Sequence, residues 1–205
     1  KNNKINDEWN SLNILSNHAS TIGSYDLGIL TTNNRDNKVL DGIKKNKFKL
    51  LFLFGQDEFS FKKNDEFIIY IGTHGDKGAE IADVILPGAT YTEQNGYYTN
   101  LEGKLQKAYK ASYPPGDSKE DWVIINELTS RIKRKKLFTN RDELEKNLLN
   151  YLTNTKNSNK PIDLLEMNFI DERIKFNEID YYYSNVIARS SKTMTECRNE
   201  KNKQH

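Results

Sequence analysis

"FIIYIGTHGDKGAEIADVILPG", residues 67–88, places two apolar runs on either side of a glycine-rich turn. Phe67–Ile71 ends at Gly72, and Asp83–Leu86 ends at Pro87 and Gly88. Runs this short, rich in β-branched residues and closed by Gly or Pro, read as strands and not helices. A third run upstream, Phe48–Phe54, stops at Gly55, and its density of apolar residues predicts a strand covered on both faces. Thr73 and Asp76 offer caps for a very short helix between the second and third strands. Strands alternating with such connections predict an α/β fold, a Rossmann-like parallel sheet with flanking helices.

A glycine-rich turn between a strand and a helix can cradle phosphate, because free amide groups point at an anion there. The spacing Gly72-x-x-Gly75-x-x-Gly78 matches neither GxGxxG nor GxxxxGK[ST], so it is read first as a tight turn. A ligand near Gly72–Gly78 is the minor alternative. His74 is the side chain of this turn whose ordinary titration falls near neutrality. With Asp76, Asp83 and Glu93 it could compose a metal or acid/base set, but no HExxH or paired ligand spacing supports one. His18 belongs to the first predicted helix and His205 closes the sequence. Ser184, Ser190 and Ser191 lack a G-x-S-x-G setting. No catalytic, cofactor-binding or metal-binding residue is therefore assigned.

Working outward, Asp7 precedes Trp9, Leu12, Leu15, Ala19 and Ile22, the spacing of an amphipathic helix that Gly23 would stop. A short helix is expected over 39–45. Tyr97–Lys104 holds Asn100 and Gly103 between β-favouring flanks, which predicts a hairpin. Pro114, Pro115 and Gly116 break the chain before Asp117 and Ser118, read as caps of a helix with Trp122, Ile125, Leu128 and Ile132 on one face. The basic run Arg131–Lys136 suits that helix's carboxyl terminus. Leu144, Leu148 and Leu152 mark another helix over Arg141–Leu152, and Thr153–Lys160 reads as a polar linker. The expected organisation is an α/β domain portion over 1–133, a helix and linker over 134–160, and an extended C-terminal docking tail over 161–205. The tail carries Phe169, Phe176 and Tyr181–Tyr183, with a short helix expected over Asn185–Cys197. Asp171, Glu172, Glu178 and Asp180 beside those aromatics favour a protein surface over phosphate.

Composition agrees with these limits. Among 205 residues, 31 basic side chains against 29 acidic ones leave +2, which gives nucleic acid little support. Hydrophobic residues reach 36%, below the roughly 45–50% of ordinary domains, so the core must be concentrated in short stretches. Cys197 is the one cysteine, which suits a reducing compartment and cannot supply the roughly four thiolates of an iron–sulfur cluster. The longest apolar run is Leu50–Phe54, far short of a membrane span, and the opening residues are too polar for a signal peptide. A sequence opening at Lys1 is expected to be part of a longer product or to lack its first residues.

Taken together, Phe67–Trp122 resembles the molybdopterin oxidoreductase superfamily. The residues that carry this are Ala82-Asp-Val-Ile-Leu-Pro-Gly88 and the hairpin Gly96-Tyr-Tyr-Thr-Asn-Leu-Glu-Gly103. More narrowly, the chain is similar to the C-terminal part of the family of largest iron–sulfur subunits of respiratory complex I. That match rests on Asp7–Asn13, Leu51–Gly55, His74–Ala79, Pro114–Gly116 with Glu120–Trp122, Asp180–Tyr183, Ser190–Met194 and Cys197. Lys104 stands where the superfamily commonly has Arg, a departure that weakens pterin binding.

The resemblance implies a structural and assembly component of the hydrophilic arm, holding no cofactor itself. FMN and iron–sulfur clusters would sit on other chains or on the missing N-terminal part. Expected partners are that cluster-bearing portion and neighbouring arm subunits, with no nucleic acid and no membrane span of its own. The expected place is the matrix side of the mitochondrial inner membrane, or a bacterial cytoplasmic face. Two alternatives stand: a fragment of an active molybdopterin-dependent oxidoreductase, and an independent α/β small-molecule-binding domain. A retained fold does not by itself retain chemistry.

Overall fold

The computed structural model describes residues 18–29, 35–58, 61–157 and 180–203, without the side chains of 35–38 and 155–157. In chain order the elements are α1 (Thr21–Asp26), α2 (Arg35–Lys44), β1 (Leu50–Phe54), β2 (Phe67–Gly72), α3 (Lys77–Glu80), β3 (Val84–Pro87), β4 (Gly96–Thr99), β5 (Leu105–Ala108), α4 (Asp121–Lys133) and α5 (Arg141–Asn157). A 3₁₀ turn (Tyr181–Tyr183), α6 (Val186–Ser190) and α7 (Lys192–Lys203) follow. The described residues fall into two compact units, one drawn from 18–41, 91–113 and 138–157 and the other from 42–90, 114–137 and 180–203.

The second unit is built on a parallel sheet in the order β1-β2-β3, as the glycine-terminated runs predict. Leu50 lies opposite Phe67, Phe52 opposite Ile69, and Ile69 opposite Val84. Both crossovers step the same way across the sheet, and the right-handed rule then sends both connections to one face. That face holds the core: Leu53, Ile68 and Tyr70, packed against Leu51, Phe61, Ala79, Ile81 and Ala82. Phe61 comes from the first connection and Ala79, Ile81 and Ala82 from the second. Each fully buried side chain of this size contributes about 1.5–3 kcal/mol relative to exposure.

The opposite face departs from the expectation of cover on both sides. Ile71 is buried, but Leu50, Phe52, Phe54 and Phe67 are 48%, 38%, 52% and 47% exposed. Apolar density in β1 reports what the strand could bury, whereas two same-handed crossovers cover one face only. After the hairpin segment the chain returns beside β3, where Ala89 N–H donates to Lys119 O at 2.9 Å and Lys119 N–H to Pro87 O at 3.1 Å.

The predicted caps and face of α4 are both corrected. Glu120 is the N-cap and its side chain makes no cap bond; its carboxylate instead accepts from Trp122 Nε1 at 2.8 Å. Asp117 and Ser118 lie in the preceding turn, with Ser118 N–H donating to Pro115 O. The helix buries Ile124 and Asn126, while Ile125 and Ile132 are exposed. It ends at the left-handed Arg134, inside the basic run, as expected.

In the first unit the predicted hairpin forms, β4 antiparallel to β5, with Gly96 opposite Ala108 and Thr99 opposite Leu105. Its turn closes on Asn100, whose Oδ1 accepts from Lys104 N–H at 2.8 Å. Asn140 Oδ1 accepts from Glu143 N–H at 2.9 Å and so caps α5, while Glu143 reaches back to Thr139 Oγ1 at 2.6 Å. Glu145 on α5 accepts from Lys107 Nζ at 2.6 Å, Arg141 Nε at 3.1 Å and Tyr97 OH at 3.1 Å, tying the helix to the hairpin. Thr99 Oγ1 donates to Asp26 Oδ2 at 2.9 Å, and Tyr151 OH to Leu27 O at 3.3 Å.

Two local expectations change here. Gly23 does not stop the first helix, since α1 runs through it and the reversal comes at Gly28, with φ of 68°. The part of that predicted helix before His18 lies outside the described residues. Thr153–Asn157 continues α5 and is not linker. In the tail, the predicted short helix is two, α6 and α7, parted at the extended Ser191. Phe169 and Phe176 lie outside the described residues.

Candidate functional site

Because β1 and β2 are parallel, the loops after Phe54 and after Gly72 leave the same edge of the sheet. Open α/β sheets hold their ligands outside this carboxyl edge. Here the edge is closely filled. Tyr70 rises from the covered face of β2, only 1% exposed, and its hydroxyl donates to Asp57 Oδ1 in the loop after β1. The Tyr70 hydroxyl oxygen also lies 3.2 Å from Gly75 O in the loop after β2. A Cβ at Gly72 would overlap the Tyr70 oxygen, and one at Gly78 would overlap Gln56 O. The glycines predicted to serve a tight turn thus admit a tyrosine ring and a neighbouring backbone.

Asp76 takes a left-handed conformation, φ 79°, that costs a non-glycine residue energy. One carboxylate oxygen accepts from Lys77 N–H at 3.0 Å, capping α3 as its sequence suggests. The other accepts from Arg189 Nε at 2.7 Å. Arg189 Nη1 also donates to Glu58 Oε1 at 2.9 Å and to Tyr183 O at 3.4 Å. One guanidinium on α6 therefore joins the loops after β1 and β2.

The tail segment that presents Arg189 is folded on itself. Asn185 Oδ1 accepts from Ala188 N–H at 2.9 Å to cap α6. Arg198 Nε donates to Asp180 Oδ2 at 2.6 Å, and its guanidinium lies 4.6 Å from the Tyr183 ring centre. Tyr183 OH and Thr195 Oγ1 are 3.1 Å apart.

Charge at this edge is unequal, with Asp57, Glu58 and Asp76 facing Arg189. Burial pushes the Asp57 carboxyl above its ordinary range, opposed by the Tyr70 hydrogen bond and by Arg189. Burial pushes the Tyr70 phenol up as well, reinforced by Asp57. Burial alone would lower Arg189, but Asp76 and Glu58 outweigh it and hold the guanidinium firmly charged.

The residues weighed from sequence do not assemble. Asp76 lies past the carboxyl end of β2, whereas Asp83 sits at the amino end of β3, accepting from Ile68 N–H at 2.8 Å and Lys63 Nζ at 2.5 Å. His74 contacts Thr73 Oγ1 at 2.8 Å through Nδ1 in an exposed position, and Glu93 belongs to the other unit. Among the described residues, no group of three or more His, Cys, Asp and Glu is placed to hold a metal ion. Ser190 Oγ donates to Val186 O at 2.8 Å, and Ser191 Oγ accepts from Met194 N–H at 3.3 Å. Sequence reasoning missed Asp57, Glu58, Tyr70 and Arg189. Tyr70 had a signal: a tyrosine in the middle of an apolar strand needs a partner for its hydroxyl.

A second concavity of about 460 Å3 lies beside the end of β3. Leu86, Pro87, Ile124 and Leu128 line it, with Lys119, Glu127 and Arg131 around them. The Lys119 ammonium is committed to Glu127, 2.8 Å away.

Comparison with known proteins adds a lineage to this geometry. The family model for molybdopterin oxidoreductases matches residues 1–131. An NADH-quinone oxidoreductase subunit of Rickettsia bellii is 40% identical over 204 residues, covering 96% of this chain and 29% of the relative. The NADH-ubiquinone oxidoreductase 75 kDa subunit of Reclinomonas americana is 36% identical over 199 residues, covering 92% and 28%. The mitochondrial NADH-ubiquinone oxidoreductase 78 kDa subunit of Candida albicans is 36% identical over 214 residues, covering 93% and 28%. The chain thus spans less than a third of the length of the curated relatives it matches.

Proposed function

This chain belongs to the molybdopterin oxidoreductase family, and from that premise we propose that it is a structural and assembly component of the hydrophilic arm of respiratory complex I. It supports electron transfer from NADH to quinone without carrying a redox centre. The observation that carries this reading is the alignment of 96% of the chain, at 40% identity, with a protein named as an NADH-quinone oxidoreductase subunit. Its partners are the cluster-bearing remainder of the same subunit and neighbouring arm subunits. FMN and iron–sulfur clusters reside on those chains, and the assembly works on the matrix side of the mitochondrial inner membrane. Among the described residues no helix is long and apolar enough to cross a membrane, which is consistent with attachment through partners.

The donor set supports a chain without its family's cofactor. A phosphate-bearing pterin at the carboxyl edge would meet Asp57, Glu58 and Asp76, and the guanidinium there is already bound to two of them. Anions are favoured where amides and cations converge, the reverse of this arrangement. The residues present do not fit that group, and Cys197, the single thiol, lies exposed on α7.

Capture of the chain from membranes dissolved in mild detergent tests the proposal. Partner subunits, flavin, iron and molybdenum are measured on the same intact assembly. NADH dehydrogenase partners with flavin and iron, and without molybdenum, are expected. Stoichiometric molybdenum, or no respiratory partner, overturns the reading.

A further inference from the structure

We propose that residues 180–203 form a strap that closes the carboxyl-end crevice of the β1-β2-β3 sheet, with the Arg189 guanidinium as its internal occupant. Three observations place the strap. Arg189 reaches both loops that leave this edge, Asp76 at 2.7 Å and Glu58 at 2.9 Å, across 113 and 131 residues of sequence. Its side chain is 20% exposed, and that of Asp76 27%, so the pair is largely shielded from water; Glu58, at 52%, is the weaker partner. The segment is held in shape by its own contacts, Arg198 to Asp180 and Tyr183 to Thr195, so Arg189 is presented on a folded element.

The planar fork of arginine suits this place. Nε and Nη1 donate in different directions to two carboxylates, a geometry that a lysine ammonium cannot reproduce from one point. Asp76 spends its second oxygen on the first amide of α3, so the same carboxylate joins strap and turn. Behind it, Tyr70 links the two loops from inside the sheet through Asp57 and Gly75. Removing the guanidinium leaves three carboxylates at one edge, whose mutual repulsion opens the loops. A partner that draws the tail away must break both ion pairs, so tail docking and crevice opening are one equilibrium.

Hydrogen exchange on the full chain, read by mass spectrometry, tests the strap. In R189A, exchange in 55–58, 73–80 and 181–190 is expected to rise about tenfold or more, while the hairpin 96–108 keeps the wild-type rate. Millimolar N-ethylguanidinium should restore slow exchange in the two loops, and ethylammonium at the same concentration should not. Unchanged loop exchange in R189A overturns the proposal, as does equal rescue by the two cations. If R189A exchanges fast throughout, including the hairpin, R189K decides the matter: acceleration confined to the same three segments supports the strap, and wild-type rates overturn it.

Discussion

The Tyr70 hydroxyl binds the buried Asp57 carboxylate from beneath, so the loops after β1 and β2 share one phenol. Asp57 is 7% exposed and Tyr70 1%. Y70F keeps the ring that fills the space under Gly72 and Gly78 but withdraws the donor. A loss of about 1–3 kcal/mol is expected from leaving the buried carboxylate short of a partner, read as a lower urea midpoint. A midpoint equal to wild type would show that water serves Asp57 instead.

Asp57 also sets a pH dependence whose sign is opposite to the usual carboxylate. Burial raises its folded value above that of the unfolded chain, so in the interval between the two the folded state holds a proton that the unfolded state has released. This group's contribution improves as pH falls through the folded value and is complete below the unfolded one. D57N, which accepts from Tyr70 without a charge, should be more stable than wild type at pH 7. That advantage should shrink on acidification. A D57N variant destabilised at pH 7 by a margin that vanishes in acid would assign the site to its attraction for Arg189.

Glu145 behaves in the opposite way. The hydrogen bond from Lys107, helped by Arg141 and Tyr97, overcomes the cost of burial and holds its carboxyl below the ordinary range. Its contribution is full above the unfolded value and is lost as pH falls through the folded one. E145Q should lower the thermal midpoint at neutral pH and approach wild type in acid. Parallel curves for the two proteins would show that the three contacts are equally well made to a neutral side chain.

Gly78 admits no side chain without movement of backbone. The added methyl of G78A would overlap Gln56 O and stand 3.0 Å from the Tyr70 ring. Overpacking of this kind costs about 1–3 kcal/mol, measurable by urea titration. G103A offers the control, since no atom lies within 4 Å of its added methyl and only its left-handed φ of 78° is strained. Gly78 itself has no positive φ, so a G78A midpoint equal to wild type would show that Gln56 O and the Tyr70 ring give way to the methyl.

The strands were legible because each run ends on Gly or Pro, and the hairpin because Asn100 and Gly103 supply its turn. Periodicity failed at α4, where Asn126 is buried through a bond to Leu137 N–H at 2.8 Å. Apolar spacing cannot register a polar residue whose partner arrives eleven positions later. Gly23 reads as a stop because glycine is a poor helix former, yet its cost in a helix interior is only about 1 kcal/mol and tertiary contacts override it. At the candidate site Asp76 was visible as a cap. Its bond to Arg189 was not, because nothing local to Val186–Ser190 marks which of the chain's basic residues will be desolvated.

The division of the chain into interleaved units carries a consequence for its synthesis. β1, β2 and β3 pair between neighbours in sequence, so the sheet can form once Pro87 has been made. The contacts of the other unit span 48, 73 and 124 residues, from Tyr97 to Glu145, Asp26 to Thr99 and Leu27 to Tyr151. Such distant closures are slow, and the two that end on α5 must wait until that helix has left the ribosome. During translation the chain therefore carries a paired sheet and a paired hairpin that still lacks its helix, and a chain broken off before Arg141 would keep both pairings and never gain the contacts of Glu145 and Tyr151.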